Sequence, residues 1–346
     1  MCEILLVAVI RIRVFSEIVT FASMNQRPIE KFPADPKIIF MGTPDYAVPS
    51  LVQLVEKGYA VQAVVTQPDR PRGRGRKQIP SPVKKAAQGF GLPLLQPEKA
   101  SGTDSCASIR ALEPDLLVVV AFGQLLKREL LSIPPWGGLN IHASLLPKYR
   151  GAAPIQWAVI HDEQETGLTA MRMEEGLDTG PVLLQETVTI GPDETAGQLH
   201  DRLARVSGEV LLKTLEGMKR RQLVETAQDN ARATYAPKID RRMSRIVWDH
   251  SASAISALIR GLDPWPGAVT VVGGKEIKLF AARVDDVDGD SGVPGRVTGG
   301  SSEGLVVETG KGTVRIRELQ APGKKRLAVA DFLRGFPISE GTLLGR

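Results

Sequence analysis

The residues best suited to chemistry in this chain are Asn140 and His142, two positions apart at the end of an apolar stretch, and Asp178, set between glycines in Gly176-Leu177-Asp178-Thr179-Gly180. On an extended strand, residues i and i+2 face the same way. Asn140 and His142 would then project into one space. The turn-rich Ser144-Leu145-Leu146-Pro147 follows at once and sets both near a strand end. An amide, an imidazole and a carboxylate that converge make a proton-handling site. A buried His beside an Asp also serves as a structural pair, and Asn also bonds turns, so spacing alone leaves both readings open.

Elements of a parallel α/β sheet are present to hold such a site. Lys37-Ile38-Ile39-Phe40-Met41-Gly42 reads as a short buried strand ending in a glycine turn, and Ala47–Lys57 has helical spacing closed by Gly58. Ala60–Thr66 is β-rich, and Ser81-Pro82 is an N-cap with Pro at N1. Asp115–Ala121 and Leu139–His142 are further strands. Continuous apolar strands alternating with helices indicate a parallel sheet covered on both faces, with ligands beyond the strands' carboxyl ends. Thr195–Arg220 is an amphipathic helix with Leu199, Leu203, Val206, Val210 and Leu211 on one face. Gln228–Asp240 is polar and irregular, the mark of a linker. Beyond it, Val269–Val272, Ile277–Ala281, Gly295–Val297, Leu305–Glu308 and Val314–Leu319 are short strands between glycines, which suggests a small barrel of the oligonucleotide-binding type.

The 346 residues, 42% hydrophobic and 24% charged, are ordinary globular composition and suggest two domains. Two cysteines, Cys2 and Cys106, exclude a disulfide framework, and no Cys/His spacing resembles a zinc site. A reduced, intracellular setting follows. The net charge of +5 is uneven: from Pro68 to Lys85, Arg70, Arg72, Arg74, Arg76, Lys77, Lys84 and Lys85 face Asp69 alone. This run is either a solvated loop or the footprint of an anionic partner. Residues 1–36 carry an apolar run too short for a membrane span, with charges misplaced for a signal peptide. They are expected to be a dispensable, disordered extension, with Met24 an alternative start.

Several motifs occur in order: Ile39-Phe40-Met41-Gly42-Thr43-Pro44-Asp45, Thr66-Gln67-Pro68-Asp69-Arg70-Pro71, Pro80-Ser81-Pro82-Val83-Lys84, Asn140-Ile141-His142, Ser144-Leu145-Leu146-Pro147, Arg150-Gly151-Ala152-Ala153-Pro154-Ile155-Gln156, Gly176-Leu177-Asp178-Thr179-Gly180, Asp263-Pro264-Trp265-Pro266 and Ala321-Pro322-Gly323-Lys324-Lys325. Together they resemble the methionyl-tRNA formyltransferase family from about Lys37 to near the C-terminus. The resemblance implies formyl transfer from 10-formyltetrahydrofolate to the α-amine of methionyl initiator tRNA. It implies a Rossmann-like catalytic domain at 37–225, a linker at 226–240 and a C-terminal OB-fold-like β-barrel at 241–346 that binds tRNA. Asn140, His142 and Asp178 match the family's catalytic trio, and Ser144, Leu145, Leu146 and Pro147 its folate-binding segment. Arg70, Arg72, Arg74, Arg76 and Lys77 match a loop that enters the tRNA acceptor end, with Arg74 at the family's arginine position. Asn140 and His142 are then donors to a developing oxyanion, and Asp178 relays a proton. A cytoplasmic monomer, with no metal and no membrane partner, is expected.

Close rivals share the trio. A glycinamide ribonucleotide formyltransferase needs neither a basic insertion nor a trailing barrel. A sugar-nucleotide formyltransferase or a dehydrogenase fusion would carry dinucleotide-binding glycines in a second domain. A non-catalytic RNA-binding protein on the same scaffold is allowed by the basic run and the barrel, but not by an intact trio.

Overall fold

A computed structural model describes residues 26–28, 32–72, 77–287 and 292–345. Among these, packing divides the chain into two compact units. Of the described residues, one holds those up to His142 together with Leu168–Glu186 and Ala204–Ala233; the other holds Ala143–Gly167, Thr187–Leu203 and those from Thr234 onward.

The first unit is organised by a nine-stranded sheet. Its strands are β1 (Gln26–Pro28), β2 (Lys37–Gly42), β3 (Ala60–Val65), β6 (Leu94–Leu95), β7 (Leu116–Val120), β8 (Gly138–His142), β10 (Glu165–Arg172), β11 (Val182–Thr189) and β12 (Val224–Thr226). Their order is β1-β12-β11-β10-β8-β7-β2-β3-β6. From β8 to β6 every pairing is parallel. The apolar runs expected of a doubly covered sheet are buried throughout: all five residues of β7, and Ile38–Gly42 of β2. On one face Ile39, Met41, Leu117 and Val119 pack with Ile109, Phe122 and Leu130. Gly42 ends β2 where any Cβ would press on Ala47, Phe40 and the Val120 carbonyl, so the turn admits no side chain.

The sheet continues beyond β8 with antiparallel strands, a feature absent from the sequence expectation. β10 pairs antiparallel with β8, and β12 with both β11 and β1. β10 is buried at six consecutive positions, so it shows no alternation to read. Of the segment 1–36 expected to be disordered, Gln26–Pro28 forms the edge strand β1 and Phe32 packs edge-on against Trp136 at 5.2 Å. Residues 1–25 and 29–31 lie outside the described residues.

The local signals act as their chemistry dictates. The Ser81 side chain accepts the Lys84 N–H at 3.0 Å and starts the helix Pro82–Gly89. The helix Val48–Glu56 ends at Gly58, whose φ of +75° suits glycine. The helix Ala196–Lys219 buries Leu199, Leu203, Val210 and Leu211 on one stripe.

In the second unit, β9 (Arg150–Gly151) pairs in parallel with β13 (Tyr235–Ala236), inside the segment read as a linker. An antiparallel sheet follows: β14 (Ala268–Val272), β15 (Lys275–Asp286), β16 (Val297–Ser301), β17 (Gly304–Glu308) and β18 (Thr313–Gln320), in the order β14-β15-β18-β17-β16, with β19 (Leu327–Ala328) on β18. The third strand lies later than the expected Gly295–Val297, because Gly299 and Gly300 hide its pattern. The chain's last residues join the two sheet edges. Thr342 accepts from the Val297 N–H at 2.9 Å, and the Leu344 N–H donates to Gly295 at 2.8 Å. The Gly345 N–H donates to Val271 of β14 at 2.8 Å. These bonds tie the tail to one residue of each edge strand, Val271 of β14 and Val297 of β16. The helices Ala252–Gly261 and Val329–Gly335 contribute Ile255, Ile259 and Phe332 to its core.

Candidate active site

β8 carries two of the candidate residues, Asn140 and His142, in an otherwise apolar strand. Its burial alternates little, but Asn140 is the half-buried position and His142 is almost fully enclosed. Asn140 stands between Val119 of β7 and Met171 of β10, and His142 lies opposite Thr169. The same-face relation expected from their i, i+2 spacing therefore holds on a strand flanked on both sides.

Asp178 is brought to this face by the loop between β10 and β11. His142 Nδ1 lies 3.7 Å from Asp178 Oδ2, with side-chain exposures of 7% and 14%. That separation is within ion-pair reach and longer than a direct hydrogen bond between these two atoms. Shielding from water strengthens their interaction relative to a surface pair. Asp178 has φ of +54°, a left-handed conformation uncommon for residues other than glycine and more tolerated by Asp than by most. Two neighbours enforce the loop's course. A Cβ on Gly180 would collide with the Arg172 carbonyl, and one on Gly176 with the Thr179 side chain. The Arg172 N–H also donates to the Pro181 carbonyl at 2.9 Å.

A residue that sequence reasoning assigned to the linker closes this arrangement. Gln228 Nε2 donates to the carbonyls of Asp178, at 2.9 Å, and Gly180, at 2.7 Å. Nothing in a single sequence distinguishes this Gln in a polar segment. Thr169, opposite His142, is fully buried and accepts from Gln185 Nε2 at 3.0 Å. Arg172 lies over the Trp136 ring and bonds Glu225 through Nε at 2.9 Å.

Ser144, Leu145, Leu146 and Pro147 continue the chain from β8. Ser144 is buried and donates to the Lys148 carbonyl at 2.6 Å, a tight turn that Pro147 joins by accepting the Thr234 N–H at 3.3 Å. Tyr149 next donates to Glu163 at 2.7 Å, and burial pushes its hydroxyl pKa up. Arg150 is buried on β9, where its N–H donates to the Thr234 carbonyl.

The basic run forms a hairpin. β4 (Arg70–Arg72) pairs antiparallel with β5 (Lys77–Ile79), with Arg70 opposite Ile79 and Arg72 opposite Lys77. Arg70 is exposed; Arg74 and Arg76 lie outside the described residues. Lys84, counted in the same run, is committed elsewhere. Its Nζ donates to Asp69 at 2.7 Å and Gln96 at 2.8 Å, and Gln96 Nε2 donates to Asp69 at 2.9 Å and to the Gln67 carbonyl at 3.0 Å. The Lys84 ammonium, then the Gln96 amide, hold the Asp69 carboxyl below its usual range. This cluster grips the hairpin's foot.

Among the described residues no three His, Cys, Asp or Glu side chains gather as a metal-binding group, and no helix is long and apolar enough to cross a membrane.

The family profile described as "Formyl transferase" matches residues 36–215, and "Formyl transferase, C-terminal domain" matches residues 238–337. The parallel sheet and the antiparallel C-terminal sheet are thus those of a two-part formyl transferase. A methionyl-tRNA formyltransferase of Geobacter metallireducens is 49% identical over 89% of this chain and 98% of the relative. One from Pelotomaculum thermopropionicum is 48% identical over the same shares. The chain belongs to the methionyl-tRNA formyltransferase family. Solved structures share the fold at lower identity. HypX from Aquifex aeolicus in complex with tetrahydrofolic acid matches with a TM-score of 0.59 and 20% identity over 87% of this chain. The chain spans 47% of that longer protein. WlaRD, a sugar 3N-formyl transferase, matches with a TM-score of 0.61 and 18% identity over 85% of this chain and all of WlaRD.

Proposed function

We propose that Asn140, His142 and Asp178 perform the family's reaction in this chain, the transfer of a formyl group from 10-formyltetrahydrofolate to the α-amine of methionyl initiator tRNA. The observation that carries this reading is the shielded 3.7 Å approach of His142 Nδ1 to Asp178 Oδ2, with Asn140 on the same strand. The amine nitrogen bonds to the formyl carbon, and the carbonyl oxygen becomes an oxyanion. Asn140 donates its amide N–H to that oxygen and His142 donates an N–H beside it. The ammonium so formed loses a proton to Asp178, directly or through a water. The bond from carbon to N10 of the folate breaks as N10 gains a proton from the same relay. His142 beside Asp178 steadies the carboxylate between these two tasks.

Ser144, Leu145, Leu146 and Pro147 are assigned to folate binding. Arg70, Arg72, Arg74, Arg76 and Lys77 are assigned to tRNA, with the segment 241–346 as a second tRNA contact, joined through 226–240 to a catalytic segment at 37–225. Arginines in a hairpin suit phosphate oxygens through paired N–H groups. The chain is read as a cytoplasmic monomer.

The test is single-turnover formyl transfer by Asn140→Ala and His142→Ala, beside tetrahydrofolate binding. Each should lose on the order of 10²- to 10³-fold in rate with little change in folate affinity, because oxyanion donors act chiefly in the transition state. Collapse of folate affinity with unchanged chemistry would make both residues binding groups instead.

A further inference from the structure

We infer that Gln228 is a positioning residue for the reaction, holding the backbone of the Asp178 loop so that the carboxylate meets His142. This rests on the reading of Asp178 as the proton-handling group. The carboxamide of Gln228 turns both its N–H bonds on one loop, to the carbonyls of Asp178 and Gly180, at 2.9 and 2.7 Å. A primary amide has two donors on one planar nitrogen, so a single side chain grips two carbonyls two positions apart. The residue between them and the residue carrying the carboxylate cannot then rotate independently. Asp178 needs such a grip, because its φ of +54° persists for a residue with a Cβ only where the surroundings over-determine it.

The same nitrogen lies 4.0 Å from the sulfur of Met171, the cross-strand partner of Asn140. Gln228 thus touches the loop that carries Asp178 and the strand position beside Asn140. Gly180 cannot substitute for this clamp. It permits the close approach to the Arg172 carbonyl but makes no side-chain bond.

The chemistry of the clamp makes it testable with near-isosteres. Gln228→Glu keeps size and shape but, as a carboxylate, has no donor and turns negative oxygens toward two carbonyls. Gln228→Asn keeps the donors on a stem one methylene shorter. Gln228→Ala removes both bonds. Each variant is assayed in single turnover with saturating methionyl-tRNA and 10-formyltetrahydrofolate, beside tetrahydrofolate affinity, methionyl-tRNA affinity and a thermal melt. Gln228→Ala and Gln228→Glu should each lose roughly 10²-fold in single-turnover rate, the effect of misplacing a reacting group by about 1 Å. Gln228→Asn should lose less, and both affinities should stay within about twofold of the parent.

The decisive arm combines Gln228→Ala with Asp178→Asn. If Gln228 acts through Asp178, the double variant should match Asp178→Asn alone within about twofold. Multiplying losses, or parental rates in both Gln228→Ala and Gln228→Glu, would overturn the inference while leaving Asp178 in its role. Affinity losses that account for the whole effect would also overturn it. A parental rate in Asp178→Asn would instead overturn the reading of Asp178 itself, and the positioning role with it.

Discussion

Gly180→Ala is the sharpest test of how rigidly the carboxylate loop is held. The new methyl would collide with the Arg172 carbonyl and would stand 3.0 Å from the Arg172 carbonyl carbon. Backbone on both sides leaves no flexible side chain to absorb it, so the loop must move. A shift of about 1 Å would stretch the Gln228 bond to Gly180 to roughly 3.7 Å, beyond hydrogen-bond range. The bond from the Arg172 N–H to the Pro181 carbonyl, now 2.9 Å, would open in the same way. Two such bonds exchanged for water cost about 1 kcal/mol each, so stability should fall by about 2 kcal/mol and the melting temperature by roughly 4–8 °C. The rate should suffer more than the fold. Misplacing a reacting group by about 1 Å costs on the order of 10²-fold, or about 2.7 kcal/mol in the barrier. Single-turnover transfer and a circular dichroism melt on the same preparation measure both. A parental rate with a parental melt would refute the claim that this loop is fixed by backbone contact.

Leu344→Ala should destabilise the C-terminal unit by about 2–4 kcal/mol, because Leu344 is buried in the core just where the last residues join the sheet edges; a thermal melt reads it, and an unchanged melt would deny the tail a closing role. Lys84→Met should raise the KM for methionyl-tRNA by roughly two- to fivefold and leave tetrahydrofolate affinity alone, since it releases Asp69 at the foot of the hairpin; unchanged kinetics would detach this cluster from tRNA use. The Asp69 carboxyl lies below its ordinary value, so its contribution is complete above about pH 4 and is lost only as pH falls through the lowered value; KM measured from about pH 7 to about pH 5 should show no step from this pair.

The parts legible in the sequence are those where a short-range rule decides the outcome. Leu116–Val120 announces a doubly buried strand, Ser81-Pro82 a capped helix start and Gly58 a helix end, and each stands where local chemistry places it. The shared face of Asn140 and His142 was legible because their i, i+2 spacing on an apolar strand fixes it. The proximity of Asp178 came from the family resemblance rather than from spacing, since no periodicity reports a contact across 36 positions. β10 shows no pattern to read because burial on both faces erases alternation, and β16 lies later than the expected Gly295–Val297 because glycines replace its side chains. The helix Ala252–Gly261 begins at a Ser251 cap that the same short-range rules describe, yet the sequence reading assigns no element between the linker and the first strand near Ala268. Gln228 was illegible for a different reason. Its role is a pair of bonds to main-chain carbonyls, and such bonds leave no mark on the types of the residues that accept them.

The central claim is that Asp178 moves the proton that formyl transfer must relocate. Asp178→Asn keeps the size of the side chain and removes its basicity, so its single-turnover rate on methionyl-tRNA and 10-formyltetrahydrofolate is the most direct measurement. The rate should fall by a factor on the order of 10² to 10⁴ while the circular dichroism spectrum and tetrahydrofolate affinity hold. A folded Asp178→Asn protein that transfers formyl groups at the parental rate would contradict the account.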